Sequence, residues 1–396
     1  MKAKLLSLLC AIVVLSLSGY AQSYEVGHTT ITFNDPDREG GFGDSGLPGR
    51  DIQTEIYYPA DVAGTDVDLS SGEYPVIVFG HGFSMAWSAY ENLWEEFVPR
   101  GYIMAFPRTE GNFSPSHEDF GLDLALVAEE MIAEGQDANS IFYNGILENV
   151  AIAGHSMGGG ATKLAAANNT TIKTIVGLAS AETNPSAVAA APDISVPALF
   201  LSGDGDAVTT PEEHHIPIYD AIGSSCKYFV NILGGAHCYY ANTNFNCDFG
   251  ESVSGGDITI DREEQHQITF DYLNLWFDYY LKGINQAKDD FDELADTDTR
   301  TEVAGTCAPT SVVESENREV ISLYPNPTTG QVFIEASASM DVINIYSISG
   351  KLVFSQNVNN QNTIQMDLSN FQKGVYFVAL SSANGYLFQT SKLVVK

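Results

Sequence analysis

The run Val150-Ala151-Ile152-Ala153 leads directly into Gly154-His155-Ser156-Met157-Gly158 and then into Gly159-Gly160-Ala161-Thr162-Lys163-Leu164-Ala165-Ala166-Ala167. An apolar run, a Gly-x-Ser-x-Gly turn and a small-residue stretch of helical character leave one local shape, a strand that turns sharply into a helix. The spacing has a steric reason. Gly154 and Gly158 let strand and helix approach without Cβ clashes, and Ser156, on the strained turn between them, presents its hydroxyl above a sheet. The turn also aims the Met157 N–H, at the helix start, toward the point where an oxyanion would form. Ordinary strand-to-helix turns share this pattern, so a nucleophilic role for Ser156 needs partners elsewhere in the chain.

Those partners follow in the order Ser, acid, His, which is the chain order of an α/β-hydrolase. Val196-Pro197-Ala198-Leu199-Phe200-Leu201-Ser202 ends in Gly203-Asp204-Gly205-Asp206, which puts two carboxylates at the end of a strand. Either could orient an imidazole, and either could be a turn former. The next apolar run, Tyr228-Phe229-Val230-Asn231-Ile232-Leu233, ends in Gly234-Gly235-Ala236-His237, so His237 is the expected base. Upstream, Pro75-Val76-Ile77-Val78-Phe79 reads as a buried strand running into Gly80-His81-Gly82-Phe83. That loop is of the type that supplies a second oxyanion donor, here the Phe83 N–H, with His81 holding the loop rather than reacting. The pair His214-His215 falls in a helical pattern and reads as solvated.

The first residues carry Lys2 and Lys4, an apolar core from Leu5 to Leu17 and Gly19-Tyr20-Ala21, the layout of a secretory signal peptide cleaved after Ala21. Beyond it lie four cysteines, Cys226, Cys238, Cys247 and Cys307, an even number that in an exported chain implies two disulfides with three possible pairings. Against 18 Lys+Arg stand 51 Asp+Glu, a net charge of -33 over 396 residues, which repels nucleic acid and anionic membranes and serves solubility. The acid excess does not form a metal site, since no H-E-x-x-H, no C-x-x-C pair and no complete calcium loop is present.

From Tyr24 to Ile284, strand-like runs alternate with helical periodicity, so the fold class is α/β with a mostly parallel sheet covered on both faces. Thr29–Phe33 and Asp51–Tyr58 read as an antiparallel hairpin. Helices are expected over Ala86–Arg100, Asp119–Glu134, Met157–Ala167, Pro211–Ile222 and Asp261–Lys282, the last with a core stripe of Phe270, Leu273, Trp276, Phe277 and Tyr280. The catalytic unit is expected over residues 22–286, and residues 287–319, acidic and Thr/Ser-rich, read as a linker. Residues 320–396 show turn signals about every ten residues, including Asn359-Asn360, and predict a small all-β, immunoglobulin-like sandwich of about seven strands.

Two resemblances add to this reading. Leu323-Tyr324-Pro325-Asn326-Pro327-Thr328-Thr329-Gly330, Ile345-Tyr346-Ser347-Ile348-Ser349-Gly350-Lys351, Lys373-Gly374-Val375-Tyr376 and the closing Lys392-Leu393-Val394-Val395-Lys396 resemble the type A sorting domain of the type IX secretion system of Bacteroidetes. That resemblance implies a partner, the secretion machinery, and delivery outside the cell or onto its surface. The central segment resembles the cutinase and polyester-hydrolase branch of the α/β-hydrolases, related to dienelactone hydrolases. The resemblance rests on Gly154 to Gly160, Gly234 to Cys238, and Ile216-Pro217-Ile218-Tyr219 beyond Asp206. It implies hydrolysis of an ester substrate, polymeric esters included, by Ser156, His237 and Asp206, the acid favoured over Asp204 by its spacing from the Pro-Ile-Tyr segment. It also implies an oxyanion hole of the Phe83 and Met157 N–H groups, no cofactor and no metal.

In that branch an aromatic residue of the first oxyanion loop, here Phe83, and a tryptophan after the next strand clamp an aromatic ester. Glu182 and Thr183 stand where the tryptophan is expected, which implies a lost second wall and a carboxylate near the cleft. Alternatives are a lipase or phospholipid-acetyl esterase, or a non-catalytic surface-binding protein on a hydrolase fold. A monomer is expected. Of the three cysteine pairings, Cys238–Cys247 is expected because its short loop would steady His237, with Cys226–Cys307 by elimination.

Overall fold

The structure is a computed structural model and describes residues 23–307, 321–347, 352–369, 371–381 and 387–396. The signal-peptide segment 1–21 lies outside the described residues. Two compact units are present, Met1–Ala308 and Pro309–Lys396.

In the first unit the strands are β1 (Glu25–Asp35), β2 (Gly40–Phe42), β3 (Arg50–Ala60), β4 (Gly64–Thr65), β5 (Tyr74–Gly80), β6 (Ile103–Pro107), β7 (Ile146–His155), β8 (Ile172–Leu178), β9 (Ala198–Gly203), β10 (Cys226–Ile232) and β11 (Thr301–Cys307). They form one sheet in the order β11-β10-β9-β8-β7-β5-β6-β3-β1-β4, with β2 on β3. From β6 to β10 all neighbours are parallel. The hairpin β1·β3 is antiparallel, pairing Thr29 with Ile56 and Phe33 with Ile52, as the alternation predicts. The chain passes from β5 to β6 on one side and then to β7 on the other, so the loops after β5 and β7 diverge at a topological switch point, where α/β sheets open a crevice.

The helices are α1 (Glu91–Phe97), α2 (His117–Glu134), α3 (Met157–Ala166), α4 (Ala187–Ala190), α5 (Ile216–Ala221), α6 (Phe245–Ser254), α7 (Arg262–Tyr280) and α8 (Asn285–Thr297). Successive residues of a strand point to opposite faces, and two cores result. Val76, Val78, Ile152 and Phe200 join Phe120 of α2, Ala161 of α3 and Ile218 of α5. Ile77, Phe79, Ala153 and Leu201 join Phe97 of α1 and Leu273, Trp276 and Phe277 of α7. Arg50 of β3 grips the fully buried Asp123 of α2 with two bonds of 2.8 Å, tying the antiparallel wing to the helical layer.

The expected linker over 287–319 is corrected. Residues 285–297 are helix and 301–307 form an edge strand antiparallel to β10, with Cys226 opposite Cys307 and bonded to it. Ala287 and Phe291 are buried, and the Phe291 ring meets Tyr228, Tyr272 and Trp276 at 5.0, 5.7 and 5.4 Å. Two or three apolar residues in an acidic stretch suffice here because their partners lie on β10 and α7. Residues 308–320 lie outside the described residues.

The second unit contains β12 (Ile321–Tyr324), β13 (Gln331–Ser347), β14 (Leu352–Asp367), β15 (Gly374–Ser381) and β16 (Leu387–Val395), a five-stranded antiparallel sheet among the described residues rather than seven strands. Asn359-Asn360, expected as a turn, lies within β14, where register shifts against β13 absorb it. Val332, Ile345, Val378 and Leu393 are among its core residues.

These boundaries give a prediction. A chain ending at Ala308 retains the thermal transition of the first unit. One ending at Gln286 loses it, since Phe291 alone contributes about 3–5 kcal/mol and β11 leaves with it. Calorimetry of the two truncations distinguishes this from a linker, for which both chains would melt alike.

Candidate active site

The turn after β7 is set by close backbone approach. A Cβ on Gly158 would lie 2.1 Å from the Gly80 carbonyl oxygen, and one on Gly154 would lie 2.4 Å from the Gly158 carbonyl. Only glycine fits at either point. Ser156 is forced to φ 54°, ψ -117°, a region non-glycine residues rarely occupy, while α3 begins at Met157.

His237, on the loop after β10, reaches this serine. Its Nε2 is 3.0 Å from Ser156 Oγ, and its Nδ1–H donates to Asp206 Oδ2 at 2.7 Å. All three are buried. The Asp206 carboxylate also accepts the Val208 and Thr209 N–H groups on Oδ1, each at 2.8 Å, and the Thr209 hydroxyl on Oδ2 at 3.0 Å. Burial alone would raise this carboxyl, but the adjacent His237 and the donors around it outweigh that and hold it at about 2. Asp204 lies elsewhere, accepting the Gly234 N–H at 2.5 Å. It shapes the turn and does not touch His237.

The expectation that His214 and His215 are solvated is corrected. His215 is buried, with Nδ1 accepting from Ser202 Oγ at 2.8 Å and Nε2–H donating to Thr209 Oγ1 at 3.0 Å. Burial pushes its pKa down to about 3 despite Asp206 nearby. His214 Nδ1 accepts the Glu182 N–H at 3.0 Å. Thr209, absent from the sequence reading, and His215, expected there to be solvated, therefore form a second tier behind Asp206. The signal lay in a histidine pair directly before the Pro-Ile-Tyr segment, since solvation of both residues was only one of its possible orientations.

A further buried chain runs the other way. His155 Nε2–H donates to the His237 carbonyl at 2.9 Å, its Nδ1 accepts from the Tyr90 hydroxyl at 2.9 Å, and that oxygen accepts the Gly82 N–H at 2.8 Å. His81 is buried with its ring nitrogens 2.9 Å from the Gly82 and Thr109 carbonyls, so it holds the loop. Phe83, two residues on, is 49% exposed and lies in the segment after β5, while Met157 opens α3 directly after Ser156.

Glu182 and Thr183 are not placed as the sequence implied. The Glu182 carboxylate accepts the Val188 N–H at 3.1 Å and so caps α4. Thr183 is buried, its hydroxyl donating to the Pro185 carbonyl at 2.6 Å. The Thr183 hydroxyl is thus taken up within its own loop, and one Glu182 oxygen is committed to α4. Cys238, next to His237, is bonded to Cys247 of α6.

A hydroxyl, an imidazole and an ionised carboxylate in series are equipped for acyl transfer. Residues 43–254 match the family described as PET hydrolase-like, and residues 322–396 match the secretion system C-terminal sorting domain. Cutinase est1 of Thermobifida alba is 28% identical over 46% of this chain and 56% of its own length. Cutinase est2 of the same organism is 27% identical over 51% of this chain and 61% of its own length. A bis(hydroxyethyl) terephthalate hydrolase of Streptomyces coelicolor is 25% identical over 54% and 63%. The match thus spans little more than half the length of these relatives. The tail directs the chain through the type IX secretion system to the cell surface or beyond. With more than half of its residues matched, the chain belongs to the PET hydrolase-like family.

Proposed function

We propose that this chain is a serine carboxylic-ester hydrolase of cutinase and polyester-hydrolase type, acting as a monomer, with its tail, read as an immunoglobulin-like sandwich, engaging the type IX machinery. The observation that carries the reading is the unbroken chain of bonds from Ser156 Oγ through His237 to Asp206 at the switch point of the sheet. His237 Nε2 takes the Ser156 proton as Oγ attacks the ester carbonyl. Asp206 holds the imidazole in the productive tautomer and stabilises its charge. The Phe83 and Met157 N–H groups receive the oxyanion, a contribution of about 10²–10³ in rate for each donor. His237 then protonates the leaving alcohol, and water, activated by the same imidazole, releases the acid from Ser156.

Short- to medium-chain esters and aliphatic polyesters fit this cleft best. Phe83 supplies one aromatic wall, and no tryptophan lies between residues 179 and 185. A tryptophan at 183 would not restore the second wall, because the Thr183 side chain faces inward against Gly160.

Ser156→Ala is expected to lower kcat on p-nitrophenyl butyrate by about 10³-fold or more and to abolish labelling by a fluorophosphonate, with an unchanged melting transition. A variant retaining activity within tenfold of the parent would refute the assignment. Asp206→Asn is expected to cost about 10⁴-fold in kcat and Asp204→Asn less than tenfold, because only Asp206 sets the His237 tautomer. The reverse ranking transfers the role to Asp204.

A further inference from the structure

Helix α6 is inside out. Its acidic residues turn toward the protein: Asp248 bonds Arg262 at 2.6 Å, and Glu251, 6% exposed, accepts the Cys238 N–H at 3.1 Å. Its apolar residues turn to solvent: Phe245 is 81% exposed, Phe249 59% and Val253 67%. Spaced four apart, the three lie on one face, and the two phenyl rings stack at 6.1 Å with 15° between planes. An amphipathic helix of a soluble domain ordinarily points the other way, burying its apolar stripe. In a chain with a net charge of -33, a stripe free of charge on a helix that hides its carboxylates is a feature of the surface rather than of the core.

The helix that carries the stripe is fastened to the loops bearing His237 and Phe83. The Cys238–Cys247 bond fastens α6 to the residue after His237, and Asn244 caps it by accepting the Cys247 N–H at 3.2 Å. Asn246 Nδ2 donates to the Ser84 carbonyl at 2.9 Å, which joins α6 to the loop carrying Phe83. Phe83 in turn lies 6.3 Å, ring to ring, from Phe113, which is 81% exposed. A pocket of about 560 Å³ opens here, with Phe42, Trp87, Phe113, Ser84 and Asn246 in its walls. Exposed rings thus lie both on α6 and on the segments around this pocket, and Asn246 joins the two.

We infer that this face docks on the solid surface of an uncharged, apolar ester polymer, with Phe245, Phe249 and Val253 as the anchor that sets the Ser156 cleft down on the chain. The inference rests on the ester-hydrolase reading for its substrate. The absence of charge on the stripe favours a neutral solid over an anionic lipid or a basic protein, and the disulfide keeps the anchor at a fixed offset from His237.

The test uses the full-length protein with Phe245→Ser/Phe249→Ser. Adsorption to an aliphatic polyester film and release of soluble product from it are each expected to fall about tenfold or more, while kcat/KM on p-nitrophenyl butyrate stays within about twofold. Phe245→Trp/Phe249→Trp is expected to keep adsorption at the parent level. Adsorption is also measured in Ser156→Ala, where it is expected to persist, so that docking and chemistry fail separately. Absence of butyrate turnover in the parent would remove the ester-hydrolase reading without touching docking. Unchanged adsorption in the serine double variant, or film and butyrate activities falling in step, overturns the inference. So does a parent that is dimeric by sedimentation and becomes monomeric in the double variant, or one that binds phosphatidylcholine vesicles and not the film.

Discussion

The close approach of α3 to the ends of β5 and β7 is the constraint on which the site depends. Gly158 rests against the Gly80 carbonyl and Gly154 against Gly158, leaving no room for a side chain at either point. This contact places the first turn of α3 beside the loop after β5. It also obliges Ser156 to a strained backbone, a cost of about 1–3 kcal/mol held in place by the buried sheet beneath. Because β5 and β7 are neighbours across the switch point, the two loops meet without a long connection.

Burial gives the polar groups around Asp206 their fixed roles. A neutral imidazole has one donor and one acceptor, and His215 uses both, donating to Thr209 and accepting from Ser202. Burial that lowers its pKa to about 3 keeps that pattern over the whole neutral range. The Thr209 hydroxyl, accepting the His215 Nε2–H, is left to donate to Asp206 Oδ2, which already receives the His237 Nδ1–H. A protonated His215 would instead need two acceptors and would set a second cation 3.7 Å from the carboxylate on which His237 relies.

Much of the fold was legible because strand alternation and helix periodicity report burial directly. The hairpin β1·β3, the parallel core and the stripe of α7 follow from residue spacing alone. The site residues were legible where backbone geometry demands a residue type, as at Gly154-His155-Ser156-Met157-Gly158. What stayed hidden depends on tertiary partners. Phe291 looks isolated in an acidic stretch until Trp276 and Tyr228 surround it. Asn359-Asn360 has the composition of a turn, yet β14 runs on through it, with a register shift against β13 between the pairs Met340–Gln361 and Val342–Asn357. His215 and Glu182 carry charge-bearing side chains that suit solvent equally well, and only the neighbours that face them decide that one is buried and the other caps a helix.

The second buried chain explains how the parts stay in register. Gly82, Tyr90, His155 and the His237 carbonyl form one series of hydrogen bonds linking the loop after β5 to the loop after β10 through the residue preceding Ser156. Tyr90 and His155 are buried, and burial raises the Tyr90 hydroxyl and lowers the His155 imidazole, so both remain neutral. A neutral series has one consistent orientation, since the His237 carbonyl can only accept and the Gly82 N–H can only donate. The loop after β5, the turn bearing Ser156 and the loop bearing His237 are therefore positioned by a single network, and a shift in one is felt by the other two. Under the proposed ester hydrolysis such preorganisation matters most where charge is to develop, because the dipoles assigned to the oxyanion would not have to reorganise as it forms.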